Sequence, residues 1–189
     1  MAKNHIIDNM EENPVIAAVR DDSDMSAAIA SPVHVVFLLH TDIFSIQNDC
    51  KRFHSAGKEV LVHFDMLEGI GHDAKAIQYL SDVICPSGIL TTKNQHVKQA
   101  KENGLFVIQR FFLIDRQSYD MALRTIHTTQ PDMVELMPAL MPDIIAKFCH
   151  EVTIPVIAGG LIRNKDDIVA ALHAGAIGVS TGNSSLWHL

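Results

Sequence analysis

A chain of 189 residues is expected to fold as one globular unit and is long enough to bury a full core. Its hydrophobic content of 48% and mean hydropathy of +0.15 fit that class, and no apolar run approaches the roughly 20 residues of a membrane span. The net charge of −7 argues against nonspecific nucleic-acid binding, which draws on basic excess. The three cysteines, Cys50, Cys85 and Cys149, have no metal-ligand spacing, and no apolar signal-peptide core follows Met1; both features lead to a cytoplasmic expectation.

In chain order, residues 1–13 read as a polar leader with at most a short helical turn around Ile6, Ile7 and Met10, and residues 14–189 as a single domain. Pro14–Val19 is the first strand, ended by Arg20, and Asp21, Asp22 and Asp24 cap the following helix. Val33–Leu39 is the second strand, ending at His40, and residues 43–56 form a helix closed by Gly57. Glu59–Asp65 is the third strand, with a helix over about 73–81. Pro86 interrupts the next apolar run, so the fourth strand is placed at Gly88–Thr91, followed by a helix from Lys93 to Asn103. Leu105–Arg110 is the fifth strand and 116–128 its helix; Met133–Leu136 is the sixth and 140–151 its helix.

The last two units carry the chemistry. Ile154–Ala158 is an apolar strand running straight into Gly159-Gly160, and a helical pattern follows from Asp166. Ala176–Ser180 is the eighth strand, running into Thr181-Gly182-Asn183-Ser184. Eight alternating strands and helices imply a parallel sheet. The even pitch predicts a compact α/β (β/α)8 TIM-type barrel with shortened helices, since the chain is below the usual length of that fold. Such barrels often bind phosphate in the loops after strands seven and eight. Glycines there allow close backbone approach, and hydroxyls and free N–H groups supply donors. Gly159, Gly160, Ser180, Thr181, Gly182 and Asn183 are therefore the candidate phosphate-binding residues. After the eighth strand barely one helical turn remains, which leaves apolar surface for the N-terminal segment or a second subunit to cover; a homo-oligomer is expected.

Functional groups in this fold sit at the C-terminal ends of strands, which here read Arg20, His40, Asp65, Thr91, Arg110, Glu135, Gly159-Gly160 and Ser180. Period two puts Leu61, His63 and Asp65 on one face of the third strand, and Phe106, Ile108 and Arg110 on one face of the fifth. Arg20 and Arg110 can pair with Asp65 or Glu135, or meet an anionic ligand. Asp65 and Glu135 can serve as a general acid–base pair, or with His63 hold a divalent metal, although the sequence requires neither metal nor cofactor. No lysine ends a strand, so a Schiff-base mechanism has no obvious carrier; Lys93, just past the fourth strand, is the nearest.

Several segments together carry a family resemblance. They are Ala17-Ala18-Val19-Arg20, Val62-His63-Phe64-Asp65-Met66-Leu67-Glu68-Gly69-Ile70, Gln109-Arg110-Phe111-Phe112-Leu113-Ile114-Asp115, Val134-Glu135-Leu136-Met137-Pro138, Ala158-Gly159-Gly160-Leu161-Ile162-Arg163 and Ser180-Thr181-Gly182-Asn183. The chain resembles the glycerol-uptake operon antiterminator regulatory proteins of Gram-positive bacteria over nearly all of its length beyond the leader. The resemblance implies a barrel that binds glycerol 3-phosphate without converting it and, when liganded, acts on the leader mRNA of glycerol-catabolism operons to promote antitermination. It implies that the six loop residues hold the phosphate while Arg20, Asp65, Arg110 and Glu135 surround the glycerol part. Candidate RNA contacts are Lys93, Lys98 and Lys101, although an ordinary solvated helix face is the first reading of each. The alternative reading is a small barrel enzyme, an isomerase or lyase, acting on a phosphorylated triose or polyol. The missing strand-end lysine favours the regulator; the acidic net charge favours the enzyme.

Overall fold

The computed structural model describes residues 2–189, with side chains from His5 onward. Eight parallel strands close into a barrel in sequence order: β1 Val15–Val19, β2 Val35–Leu38, β3 Glu59–His63, β4 Gly88–Thr91, β5 Phe106–Phe112, β6 Met133–Met137, β7 Val156–Gly159 and β8 Gly178–Thr181. The closing pair is β1 with β8, in register at Ile16 and Ser180. The helices are α1 Ala2–Glu12, α2 Asp22–Ala30, α3 Ile46–Ser55, α4 Ala74–Tyr79, α5 Asn94–Glu102, α6 Arg116–Thr129, α7 Pro142–Glu151 and α8 Lys165–His173. Most run nine to eleven residues, as the short chain requires. None is long and apolar enough to cross a membrane among the described residues.

Period-two alternation sorts the strand residues into two apolar layers. One faces the helices. The other fills the barrel and includes Ile16, Val35, Phe37, Leu61, Leu90, Phe106, Ile108, Met133 and Ile157. Ile6 and Met10 of α1 belong to this inner layer, 1% and 0% exposed. The expected polar leader is therefore an 11-residue helix lying against the barrel's N-terminal end. Ile6, Met10 and the half-buried Ile7 supply its apolar side, and each fully buried side chain contributes about 1.5–3 kcal/mol.

The C-terminal turn does the same on the outside. A 3-10 segment, Ser184–His188, packs on β1 and α2. Trp187 is fully buried and its Nε1 donates to the Thr181 carbonyl at 2.9 Å. The apolar surface expected after β8 is thus covered by the chain itself, which removes the reason first given for a second subunit. Two strands end two residues away from the expected C-terminal position. β5 runs on to Phe112, and β3 stops at His63, where Phe64–Met66 turn as a 3-10 segment.

Candidate functional site

Two polar groups of residues occupy the C-terminal end of the barrel, and they differ in how their valences are used. Beside β3 and β4, Asp65 lies in the 3-10 turn and faces strand four. Its carboxylate accepts from Thr91 Oγ1, from the N–H and the Oγ1 of Thr92, each at 2.7 Å, and lies 2.9 Å from His96 Nδ1. Burial alone would raise the carboxyl, but the hydrogen bonds from Thr91, Thr92 and His96 outweigh it and hold the group at about 2. Asp65 is thus a permanent anion with its acceptors spent. Its ring partner His96 is wedged edge-on against Phe64 at 4.8 Å and stacked on His72.

In the barrel axis, Arg110 and Glu135 point inward from β5 and β6, in register with each other. Arg110 Nε donates to Glu135 Oε2 at 2.5 Å, and Ser180 Oγ donates to Glu135 Oε1. All three side chains are buried. Gly159 sits where this network needs room: a Cβ there would collide with Glu135 Oε1 and Ser180 Oγ. Its role is to admit a carboxylate and a hydroxyl between strands. His63 ends β3 on the same inner face, 4% exposed, and its Nδ1 has no partner among the described residues. Burial first, and the nearby Arg110 charge second, push its pKa down to about 4, so the ring is neutral at pH 7.

Above this layer a cavity of about 340 Å³ opens, with Arg20, Leu39, Arg110, Met137, Gly160–Ile162 and Ser180–Asn183 in its wall. Arg20 forms no ion pair among the described residues; the arginines that do are Arg52, Arg110 and Arg116. Its guanidinium lies over Gly182, where a Cβ would come within 3.0 Å of Nη1. On the opposite wall Gly160 and Leu161 are left-handed in succession, at φ +79° and +64°. A non-glycine residue held there is strained by about 1–2 kcal/mol, and such strain clusters at ligand sites. The N–H groups of Leu161 and Ile162 donate to no acceptor among the described residues. The Gly160 carbonyl accepts from Ala139 N–H at 3.2 Å, and Leu113 N–H donates to the Met137 carbonyl at 2.8 Å, so the loops after β5, β6 and β7 are tied together.

The structure brings together most of the residues named from the sequence and reassigns what they do. Arg20, Arg110, Gly160, Ser180, Thr181, Gly182 and Asn183 line the cavity; Gly159 and Glu135 support it from beneath. The side chains of three expected phosphate donors are engaged. Ser180 donates to Glu135, Thr181 Oγ1 accepts from Asn183 N–H, and Asn183 Oδ1 caps Ser185. The N-terminus of α8 carries its own carboxylate: Asp167 accepts from the N–H groups of Arg163 and Asn164. The donors that remain are Arg20, the terminal guanidinium nitrogens of Arg110, the Thr181 hydroxyl hydrogen and the main chain of Leu161 and Ile162. Asp65 does not reach the cavity wall. Nor do Asp65, Glu135 and His63 converge on a metal position; among the described residues no such group of three exists. Leu39, Met137, Leu161 and Ile162 were missed by the sequence reading, because apolar residues at strand ends give no local signal of lining a polar cavity. Of the three lysines, Lys93 and Lys98 are exposed along α5. Lys101 is half-buried at its far end, bonded to the Gln130 carbonyl and 3.7 Å from Asp132. A larger cleft of about 520 Å³, lined by Lys101, His127 and Glu151, lies at that opposite end, beside the segments that lead into β6 and β7.

These features define a (β/α)8 barrel with a small arginine-lined cavity at the C-terminal ends of β1, β7 and β8. The chain belongs to the family of glycerol-3-phosphate-responsive antiterminators, whose pattern it matches over residues 15–187. It is similar to the glycerol uptake operon antiterminator regulatory protein of Listeria monocytogenes, with 34% identity, a TM-score of 0.89, and coverage of 93% of this chain and 95% of that one. A glycerol uptake operon antiterminator-related protein of Thermotoga maritima aligns at 30% identity and TM-score 0.81, over 92% of this chain and 96% of its own. An uncharacterized Escherichia coli K12 protein, YgcP, is 34% identical over 180 residues, 95% of this chain and 94% of its own. At 13% identity and TM-score 0.72, an N-acetylmannosamine-6-phosphate 2-epimerase from Clostridium perfringens shares the fold alone.

Proposed function

We propose that this barrel binds glycerol 3-phosphate without converting it, and that the liganded protein binds leader mRNA and promotes transcription antitermination of glycerol-catabolism operons. The observation that carries the ligand part is that one cavity of about 340 Å³ is lined by the unpaired Arg20 and by Leu161 and Ile162, whose N–H groups have no acceptor among the described residues. That size suits a ligand of about ten heavy atoms. A phosphate would take charge-assisted bonds from Arg20 and main-chain bonds from the strained loop. The glycerol part would lie toward Arg110, over Glu135. The RNA part draws on the family, with Lys93 and Lys98 as exposed phosphate contacts. A cytoplasmic setting goes with it. A homo-oligomer is also proposed, now on different grounds: Phe112 at the end of β5, Ile114 just after it, Ile144 in the first turn of α7 and Leu161 just after β7 are exposed. A dimeric mass by light scattering would support it, and a monomeric one at micromolar concentration would refute it.

The enzyme reading finds less support. Both Glu135 oxygens are hydrogen-bonded and Asp65 is fully occupied, so neither carboxylate is poised as a base. The deciding experiment is calorimetric titration with glycerol 3-phosphate beside glycerol and inorganic phosphate, then product analysis, then addition of leader RNA. Tight binding with the metabolite recovered intact, and RNA affinity raised by it, is the expected result. RNA affinity indifferent to the metabolite would refute the regulatory part, since regulation requires a coupling free energy between the two sites; turnover would make the protein an enzyme.

A further inference from the structure

We infer that His63 is a ligand-binding residue, reading a hydroxyl of the small phosphorylated polyol held at the mouth. The inference rests on the ligand proposed above and assigns a contact that neither the sequence pattern nor the cavity wall names. Its origin is the place where β3 ends. The strand stops at His63, so His63, and not Asp65, is its last inward-facing side chain. Two neighbours locate it. Val62 is in register with Leu38, which sets Leu39 beside His63, and Arg110 is close enough for its charge to act on the ring. Leu39 and Arg110 both line the cavity.

Two donors of that inner layer are matched to Glu135. Arg110 Nε and Ser180 Oγ each donate to one Glu135 oxygen, whereas His63 Nδ1, in a residue only 4% exposed, bonds to nothing among the described residues. A buried polar atom without a partner is costly, and native structures rarely keep one unless a partner arrives from outside the chain. Neutral imidazole offers one donor and one acceptor nitrogen, so it can serve a hydroxyl in either sense. Being uncharged, it discriminates by hydrogen bonding alone: inorganic phosphate satisfies the Arg20 end of the cavity, and only a ligand with a carbon chain and hydroxyl groups extends to His63.

The test uses the full chain at pH 7.5, titrated calorimetrically with glycerol 3-phosphate, inorganic phosphate, and two analogues each lacking one hydroxyl, 3-hydroxypropyl phosphate and 2-hydroxypropyl phosphate. His63→Leu is expected to weaken glycerol 3-phosphate roughly tenfold and to leave inorganic phosphate unchanged. His63→Gln, which keeps a donor and an acceptor, should recover most of the loss. For one of the two analogues the His63→Leu penalty should vanish, because the hydroxyl it read is gone. Tight glycerol 3-phosphate binding unaffected by His63→Leu would overturn this inference and leave the ligand assignment standing; no binding by the wild-type chain would overturn both. Should His63→Leu fail to fold, the imidazole 15N resonances of the wild-type chain decide. At least one of the two ring nitrogens is expected to shift with glycerol 3-phosphate and not with inorganic phosphate, and resonances indifferent to the metabolite would mean that His63 meets only buried water.

Discussion

The β3/β4 side and the β7/β8 side of the barrel mouth look alike as sequence and behave differently as structure. Each offers hydroxyls, charges and a glycine-containing loop. On the β3/β4 side every valence of Asp65 is met, by two threonines and a histidine. On the β7/β8 side Ser180 and Asn183 spend their side chains on the fold, yet the Arg20 guanidinium and the main-chain N–H groups of Leu161 and Ile162, all in residues that line the cavity, have no partner among the described residues. The lesson is that a polar residue at a strand end does not mark a site. What marks it is a donor that the fold positions and leaves unspent.

The sharpest way to break the comparison is at Gly159. Gly159→Ala puts a Cβ onto Glu135 and Ser180 and forces the buried ion pair apart; we expect a loss of about 3 kcal/mol in urea unfolding and no detectable glycerol 3-phosphate binding. Near-normal binding by this variant would show that the inner network does not support the cavity. Asp65 should show the converse. Its folded-state pKa of about 2 lies below the usual 3.8, so its contribution is fully present above about pH 5 and is lost as pH falls through 2. A shift of that size corresponds to roughly 2 kcal/mol. Asp65→Asn should therefore lower stability at pH 7 by about that amount, flatten the acid limb of the stability curve, and leave ligand affinity within about threefold; a larger affinity loss would return Asp65 to the site. Arg20→Ala reverses the pattern again, with stability unchanged within about 0.5 kcal/mol. Glycerol 3-phosphate and inorganic phosphate should both weaken, by roughly ten- to a hundredfold, in calorimetry. The smallest effect is expected at Lys98, where Lys98→Glu should reduce RNA affinity a few-fold and lower the salt-dependence slope by about one, measured by filter binding at several salt concentrations.

The barrel was legible because each unit repeats one apolar run with its own punctuation: Asp21 before α2, Gly57 after α3, Gly104 after α5. The strand termini were not. Val62-His63-Phe64-Asp65 alternates as well as any strand, and only the 3-10 turn at Phe64, buried on the helix side, ends it two residues early. The partners that take Asp65 out of the site, Thr91, Thr92 and His96, lie far along the chain and give no local sign of their convergence. The glycine loop after β7 and the small polar loop after β8 line the cavity, but composition could not show that Ser180 and Asn183 spend their side chains on the fold. In α1, Ile6 and Met10 stand at helical spacing in the sequence, but their burial depends on a barrel end that no local pattern reveals.

That buried helix has a kinetic meaning. With Ile6 and Met10 joined to a solid apolar interior, the barrel is a blind vessel with one door. Whatever enters past Arg20 departs by the same route, so its residence time is set by the contacts and motions at that one mouth. Met10→Ala should make the molecule less durable by about 2–5 kcal/mol while leaving the ligand's dissociation rate where it was.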